Sequence, residues 1–156
     1  MHVGIVHYAA PPVVGGVELT IFHHARLLTE LGHRVTVVAG RGAPFLRRVA
    51  FREEVLVGSR SQPIATINQA LAAGQIPPEF DAVVATVADV LLRDLGACDV
   101  AIGHNLFTLH KNLALTVAVH RLVVERAGPP WVAWHHDLAW LRSQYQPELH
   151  PGEPWE

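Results

Sequence analysis

The chain has 156 residues, of which 50% are hydrophobic and 17% are charged, and its formal net charge at pH 7 is −2. This composition predicts one packed globular domain and excludes a disordered chain. The small net charge excludes the basic surface of a typical nucleic-acid-binding protein, so no nucleic-acid partner is expected. The single cysteine, Cys98, excludes an internal disulfide, and we expect it to be a small buried side chain before a strand.

The sequence predicts neither a secretory leader nor a transmembrane helix. The first residues lack a cluster of Lys and Arg, and no stretch reaches the roughly 18 uninterrupted apolar residues that a membrane span needs. A single cysteine also fits a reducing compartment. We therefore expect a cytoplasmic protein. The isolated basic residues Arg47, Arg48 and Arg52 leave peripheral contact with the inner face of the membrane as an open alternative.

Two adjacent glycines, Gly15 and Gly16, separate the first predicted strand from the first predicted helix. The β-branched apolar run at 2–7 predicts the strand, and apolar residues spaced by three and four over 17–31 predict the helix. Because glycines let the backbone turn sharply and leave room for a ligand, a phosphate could approach the helix N-terminus here. The pair lacks the third glycine of G-x-G-x-x-G and the Lys of a P-loop, so a plain turn without a ligand remains the alternative.

Strands and helices alternate along the rest of the chain. Continuous apolar residues predict strands at 34–40, 99–103 and 131–134, with a further short strand at 54–57. Apolar periodicity predicts helices at 67–73, 79–95 and 113–126, while 59–63 and the tail 146–156 are predicted as loops. This alternation predicts a Rossmann-like, doubly wound α/β domain with a mostly parallel sheet and helices on both faces.

Polar side chains lie at the carboxyl ends of three of the predicted strands. They are His7, His104, Asn105, His135, His136 and Asp137. In doubly wound folds, ligands bind at the carboxyl ends of the strands, near the point where the strand order switches. We therefore expect these side chains to collect on one rim of the sheet, together with the glycine pair.

Several kinds of chemistry are open to these histidines. Adjacent side chains at a strand end point to opposite faces, so His135 and His136 should not chelate one ion together, although one of them could do so with His104. No Ser or Cys nucleophile motif accompanies them. A neutral histidine that presents its ring to a sugar or phosphate, held by a neighbouring carboxylate, is a third option, and a histidine that only caps the strand end is the fourth. On the first helix, we expect one of His23 and His24 to face solvent and the other to lie at the edge of the apolar stripe.

An ordered set of motifs resembles the N-terminal domain of glycosyltransferase family four. The set comprises Gly15-Gly16-Val17-Glu18, Leu31-Gly32-His33-Arg34-Val35-Thr36-Val37, His104-Asn105, Trp134-His135-His136-Asp137-Leu138-Ala139-Trp140 and the final Pro-Gly-Glu-Pro-Trp. The resemblance covers nearly the whole chain. It implies one half of a GT-B architecture, in which two Rossmann-like domains face a cleft, and retaining transfer of a sugar from a nucleotide sugar to an acceptor.

The resemblance also implies roles for individual residues. The catalytic candidates are His136 first and His135 second, with Asp137; the candidates for binding the donor diphosphate are Gly15 and Gly16; and those for the acceptor side of the cleft are His104, Asn105 and Glu18. Family members usually need no catalytic metal, so we expect no metal or other cofactor beyond the nucleotide-sugar substrate. Glu18 also has a simpler explanation, because an acidic residue in the first turn suits the helix dipole.

In that family, the nucleotide base and ribose belong to a second Rossmann-like domain, which would follow Glu156 here. We therefore expect residues 1–156 to be a single domain that needs a C-terminal donor-binding domain in cis or in trans, and to be weakly active or inactive alone. Two alternatives remain. One is a non-catalytic α/β module that binds a phosphorylated or nucleotide ligand, and the other is a hydrolase with a histidine-bound metal.

Overall fold

The computed structural model describes residues 1–150, in which five parallel strands form one sheet. The strands are β1 (His2–His7), β2 (Arg34–Ala39), β3 (Val49–Glu53), β4 (Val100–His104) and β5 (Trp131–Trp134). The helices are α1 (Gly16–Glu30), α2 (Gln62–Ala72), α3 (Phe80–Leu95) and α4 (Leu113–Val124). The strand order is β3-β2-β1-β4-β5, so the chain builds outward from β1 on one side and then on the other.

Helices cover both faces of this sheet, because alternate residues of the central strands point to opposite sides. On one face, Val3 and Ile5 of β1 pack with Ile21 of α1. On the other face, Val6 of β1 packs in a core that also contains buried residues of α2, α3 and α4, such as Val84. The Rossmann-like, doubly wound α/β fold predicted from the sequence is confirmed.

The third strand was predicted in the wrong place. Residues 54–57 do not form it; instead Val49–Glu53 pairs with β2, from Val35 opposite Val49 to Ala39 opposite Glu53. The apolar residues Val55–Val57 form a 3-10 turn, and Val57 is fully buried there. Since β3 lies at the edge of the sheet and only Val49 in it is buried, it lacks the continuous apolar run that predicts an inner strand.

Two helix boundaries also differ from the prediction. Gln62 and Pro63 were predicted as loop but open α2, and proline is well tolerated in the first turn of a helix. The last helix was predicted to reach residue 126 but ends at Val124, because Arg126 has a left-handed φ of 54°. By contrast, α1 ends at Glu30, within one residue of the predicted end at 31. Gly32 follows with a left-handed φ of 85°, and the N–H of His33 donates to the carbonyl of Leu28 in the helix.

The C-terminal segment is only partly loop. Short 3-10 helices cover Ala139–Leu141 and Ser143–Glu148. Residues 146–148, predicted as the start of the loop 146–156, therefore belong to a 3-10 helix. The Pro-Gly-Glu-Pro-Trp motif lies outside the described residues. Cys98 is buried just before β4, as predicted. Within residues 1–150, no helix has the length and apolar character required to cross a bilayer.

Candidate functional site

A cleft of about 650 Å³ opens at the carboxyl ends of the strands, above the point where the strand order reverses around β1. Tyr8 and Ala9 after β1, Arg41 after β2, Asn105 after β4 and His136 after β5 all line it. The N-termini of α1 and α2 border the same space. A doubly wound fold binds ligands at this position.

The structure brings five of the eight sequence-predicted site residues into this cleft. The five are Gly16, Glu18, Asn105, His136 and Asp137. The other three are Gly15, His104 and His135, which do not line it. Each of these three is the chain neighbour of a residue that does line the cleft. The sequence therefore predicted the right positions to within one residue.

The glycine pair leaves open space at the start of α1, and neither glycine has an unusual backbone conformation. Gly15 is extended, with a φ of −178°, and neither glycine is among those with positive φ. A Cβ at Gly16 would meet no heavy atom within 4 Å, whereas a Cβ at Gly15 would collide with the carboxylate of Glu18. The start of α1 therefore offers backbone N–H groups to the cleft beside an open position at Gly16.

Asn105 determines where the segment after β5 runs. Its φ of 58° is left-handed, a conformation that asparagine tolerates better than most residues. Its Oδ1 accepts hydrogen bonds from the backbone N–H of His136 at 2.7 Å and of Asp137 at 3.3 Å. Its own N–H donates to the carbonyl of Trp134, and its carbonyl accepts from the hydroxyl of Tyr8.

His135 and His136 follow the last residue of β5, and their side chains have different neighbours. His136 lines the cleft. His135 is exposed and does not line the cleft, with Nδ1 3.4 Å from Oγ1 of Thr108 and its ring edge-on to Phe107. Of the two adjacent histidines, only His136 is placed to contact a ligand in the cleft.

His104 is fully buried behind His136 rather than at the acceptor side of the cleft. Its Nδ1 lies 2.9 Å from Nε2 of His136, a hydrogen-bonding distance. The ring of Trp134 and the ring of His24 also contact it, with centroids 6.0 and 5.3 Å away. Of the histidine pair on α1, His23 is exposed and His24 is half-buried, as expected.

Burial keeps the inner histidines uncharged. It lowers the pKa of His7 to about 4 and that of His104 to about 3, since water no longer solvates the charged ring, and nearby histidines add to the effect. Burial also lowers the pKa of His24. His7 donates from Nδ1 to the carbonyl of His104 at 2.8 Å, which leaves its Nε2 as an acceptor.

Asp137 pairs with residues further along the chain rather than with a histidine. Its Oδ1 lies 3.2 Å from Nε of Arg142, and its Oδ2 accepts a hydrogen bond from the hydroxyl of Tyr145 at 3.3 Å. Tyr145 also lines the cleft, and Nζ of Lys111 lies over its ring at 5.1 Å. Sequence reasoning missed Arg142 and Tyr145, because nothing in the local pattern marks them as partners of Asp137.

Cationic side chains on three separate loops face the cleft, and the sequence did not single them out. They are Arg41, Arg60 and Lys111. Arg41 follows Gly40, which packs so closely on the backbone of Gly58 that a Cβ at Gly40 would collide with it. Glycine at these two positions lets the loop after β2 and the loop before α2 meet, and the cleft wall is continuous there.

In the part of the chain that the structure describes, no three His, Cys, Asp or Glu side chains are grouped in a way that could hold a metal ion. Fold and cleft define a Rossmann-like α/β domain whose open cleft at the strand switch point carries a histidine, an aspartate and several cations. Comparison with protein-family models and with curated proteins finds no match to this chain.

Proposed function

We propose that this chain is the N-terminal, acceptor-side domain of a retaining GT-B glycosyltransferase that transfers a sugar from a nucleotide sugar. One observation carries the proposal. Three of the motifs that resemble glycosyltransferase family four lie far apart in the sequence, yet each contributes residues to a single cleft. The residues are Gly16 and Glu18 from the first motif, Asn105 from the third, and His136 and Asp137 from the fourth.

The charges of the cleft support a donor that carries a diphosphate. Gly16 leaves open space beside the N-terminus of α1, where free backbone N–H groups favour an anion. Arg41, Arg60 and Lys111 add positive charge along the same cleft. In sugar transfer, fixed dipoles and positive charges of this kind stabilise the negative charge on the departing diphosphate.

Residues 1–150 form one side of such a site. In the proposed enzyme, the nucleotide base and ribose are held by a second, donor-binding domain, present in the same chain or as a separate subunit. His136 contacts the transferred sugar from the acceptor side, and the open cleft admits the acceptor.

The test is an assay for sugar transfer with the chain joined to, or mixed with, its donor-binding domain. UDP-glucose and GDP-mannose serve as probes, with release of the nucleoside diphosphate and the anomeric configuration of the product as readouts. We expect release of the diphosphate and an α-linked product from an α-linked donor. An inverted product, or no consumption of any nucleotide sugar by the complete protein, would overturn the proposal.

A non-catalytic module that binds a phosphorylated ligand is the second candidate. It is favoured by the fact that the chain alone supplies Arg41, Arg60, Lys111 and two helix N-termini to one cleft. Calorimetry with UDP and UDP-glucose on the isolated chain separates the two candidates. A Kd of ~1 μM, about 8 kcal/mol, would favour the module, and millimolar binding would favour half of a two-domain enzyme.

A further inference from the structure

His104 and His136 are joined end to end by one hydrogen bond. Their ring planes are 22° apart and the ring centroids are 5.2 Å apart, while Nδ1 of His104 and Nε2 of His136 are 2.9 Å apart. For a given distance between the two nitrogens, the centroids are farthest apart when both nitrogens lie on the line that joins the ring centres. The observed separation requires this arrangement, so the hydrogen bond lies in the plane of each ring. Such an in-plane contact is a hydrogen bond with one proton between the two nitrogens.

The surroundings of His104 indicate which ring donates that proton. His104 is 0% exposed, and its Nε2 has no hydrogen-bond partner among the described residues. Trp134 and His24 enclose the ring without bonding to this nitrogen. A buried N–H without an acceptor is costly and rare, so the single proton of the neutral ring belongs on Nδ1. His104 is therefore the donor, and Nε2 of His136 is the acceptor.

We propose that His104 is a positioning residue that holds His136 in the tautomer with its proton on Nδ1. The Nε2 lone pair of His136 is then used by His104, and the nitrogen left for a ligand is an N–H donor. His136 thus presents a hydrogen-bond donor to the cleft, suited to a hydroxyl or phosphate oxygen, and has no lone pair with which to take a proton from an acceptor.

The tautomer is a property of the folded chain, whereas its consequence for sugar transfer rests on the proposed function. Donation from His136 would bind an oxygen of the transferred sugar and hold the sugar in place. The neutral ring of His104 is fully buried, where a charged ring would be costly, so it does not take up the extra proton that a base would pass on.

The direct test is ¹⁵N NMR of the imidazole rings in the intact chain at neutral pH. We expect the Nδ1 resonance of His136 at the shift of a protonated nitrogen and the Nε2 resonance at that of an unprotonated one. His104→Asn retains an N–H donor near the position of Nδ1 and should keep this pattern. His104→Phe removes the donor and should let His136 change toward the Nε2–H form. Protonation of Nε2 in the wild-type chain would overturn the inference, even if both variants failed to fold.

Sugar transfer by the assembled enzyme gives the second readout. His104→Phe should lower kcat by about 10- to 100-fold with little change in KM for the donor, and His104→Asn should restore most of it. If the tautomer changes as expected and His104→Phe transfers sugar as fast as the wild type, the positioning role is wrong. If the tautomer is as expected and the wild type transfers no sugar, the proposed function fails while the tautomer assignment stands.

Discussion

Oδ1 of Asn105 accepts a hydrogen bond from the backbone N–H of His136 at 2.7 Å, so the residue after β4 sets the position of the residue after β5. Asn105 is itself 2% exposed and left-handed. One asparagine thus supplies both the backbone conformation and the oxygen that the rim of the cleft requires. The order of this rim depends on a few buried polar contacts rather than on apolar packing alone.

Removing that oxygen should destabilise the fold. Asn105→Ala leaves two backbone N–H groups without an acceptor and places an alanine in a left-handed conformation, so we expect a loss of about 2–4 kcal/mol. Asn105→Gly removes the same oxygen without the backbone strain and should be more stable than the alanine variant by about 1 kcal/mol. Urea denaturation measures both. An alanine variant as stable as the wild type would show that Asn105 does not hold the rim.

Asn112 should be an equally sensitive position. It caps α4 by accepting from the N–H of Leu115 at 3.0 Å, and its Nδ2 donates to the carbonyls of Leu56, Val57 and Gly58. Asn112→Ala should cost about 2–4 kcal/mol, because the cap and a buried donor are lost together.

Asn112→Ser provides the matched variant for this position. Serine keeps a capping oxygen but cannot reach the three carbonyls, so its loss of stability should be smaller than that of alanine by about 1 kcal/mol. Chemical denaturation gives the comparison. Equal losses for serine and alanine would mean that the cap contributes nothing.

Stability should fall in mild acid because of the buried histidines. The folded-state pKa of His7 is about 4 and that of His104 about 3, both below the 6.5 of an unfolded chain. At pH values between the folded and unfolded pKa, the unfolded chain binds more protons than the folded chain. The stability that these neutral histidines contribute is therefore fully present above pH 6.5 and is lost as the pH falls below it. For each of the two histidines, the free energy of unfolding should fall by about 2 kcal/mol between pH 6.5 and pH 5.

His7→Asn tests this pH dependence. Asparagine can still donate to the carbonyl of His104 but does not titrate, so the slope of stability against pH should fall, by up to about 1.4 kcal/mol per pH unit near pH 5 and by less near pH 7. Denaturation at a series of pH values from 5 to 7 is the measurement. An unchanged slope would show that His7 is not buried in its neutral form.

Gly16→Ala separates ligand binding from folding. Because a Cβ at Gly16 meets nothing within 4 Å, the variant should fold with wild-type stability. A diphosphate that approaches the start of α1 would meet this Cβ, so binding of UDP to the complete protein should weaken about 10-fold or more. Calorimetry and thermal unfolding together give the answer. Unchanged affinity would remove Gly16 from the phosphate site.

The elements that the sequence predicted well are those whose own residues determine their structure. Continuous apolar runs predicted β1, β2, β4 and β5, and the spacing of apolar residues predicted both ends of α1 to within one residue. The edge strand β3 was missed, since most of its side chains are half-buried or exposed and an apolar turn follows it. Pairing with β2, which is a tertiary contact, places it in the sheet.

The cleft was predicted less completely, for a related reason. Strand ends can be recognised locally, so Asn105, His136 and Asp137 were found on the rim. Arg41, Arg60 and Lys111 lie on loops, and only folding brings these loops together. Asn112 carried a recognisable signal, an asparagine immediately before an apolar helix, but its three carbonyl partners come from a turn 54 to 56 residues earlier.

The adjacent histidines test the proposed role of His136 in sugar transfer, because each serves as a control for the other. His136 lines the cleft, and His135 lies outside it against Thr108. In the enzyme assembled with its donor-binding domain, His136→Ala should lower the rate of sugar transfer by about 10²-fold or more, while His135→Ala should stay within a few-fold of the wild type. Equal losses in the two variants, or wild-type turnover in His136→Ala, would show that His136 does not act on the transferred sugar from this cleft.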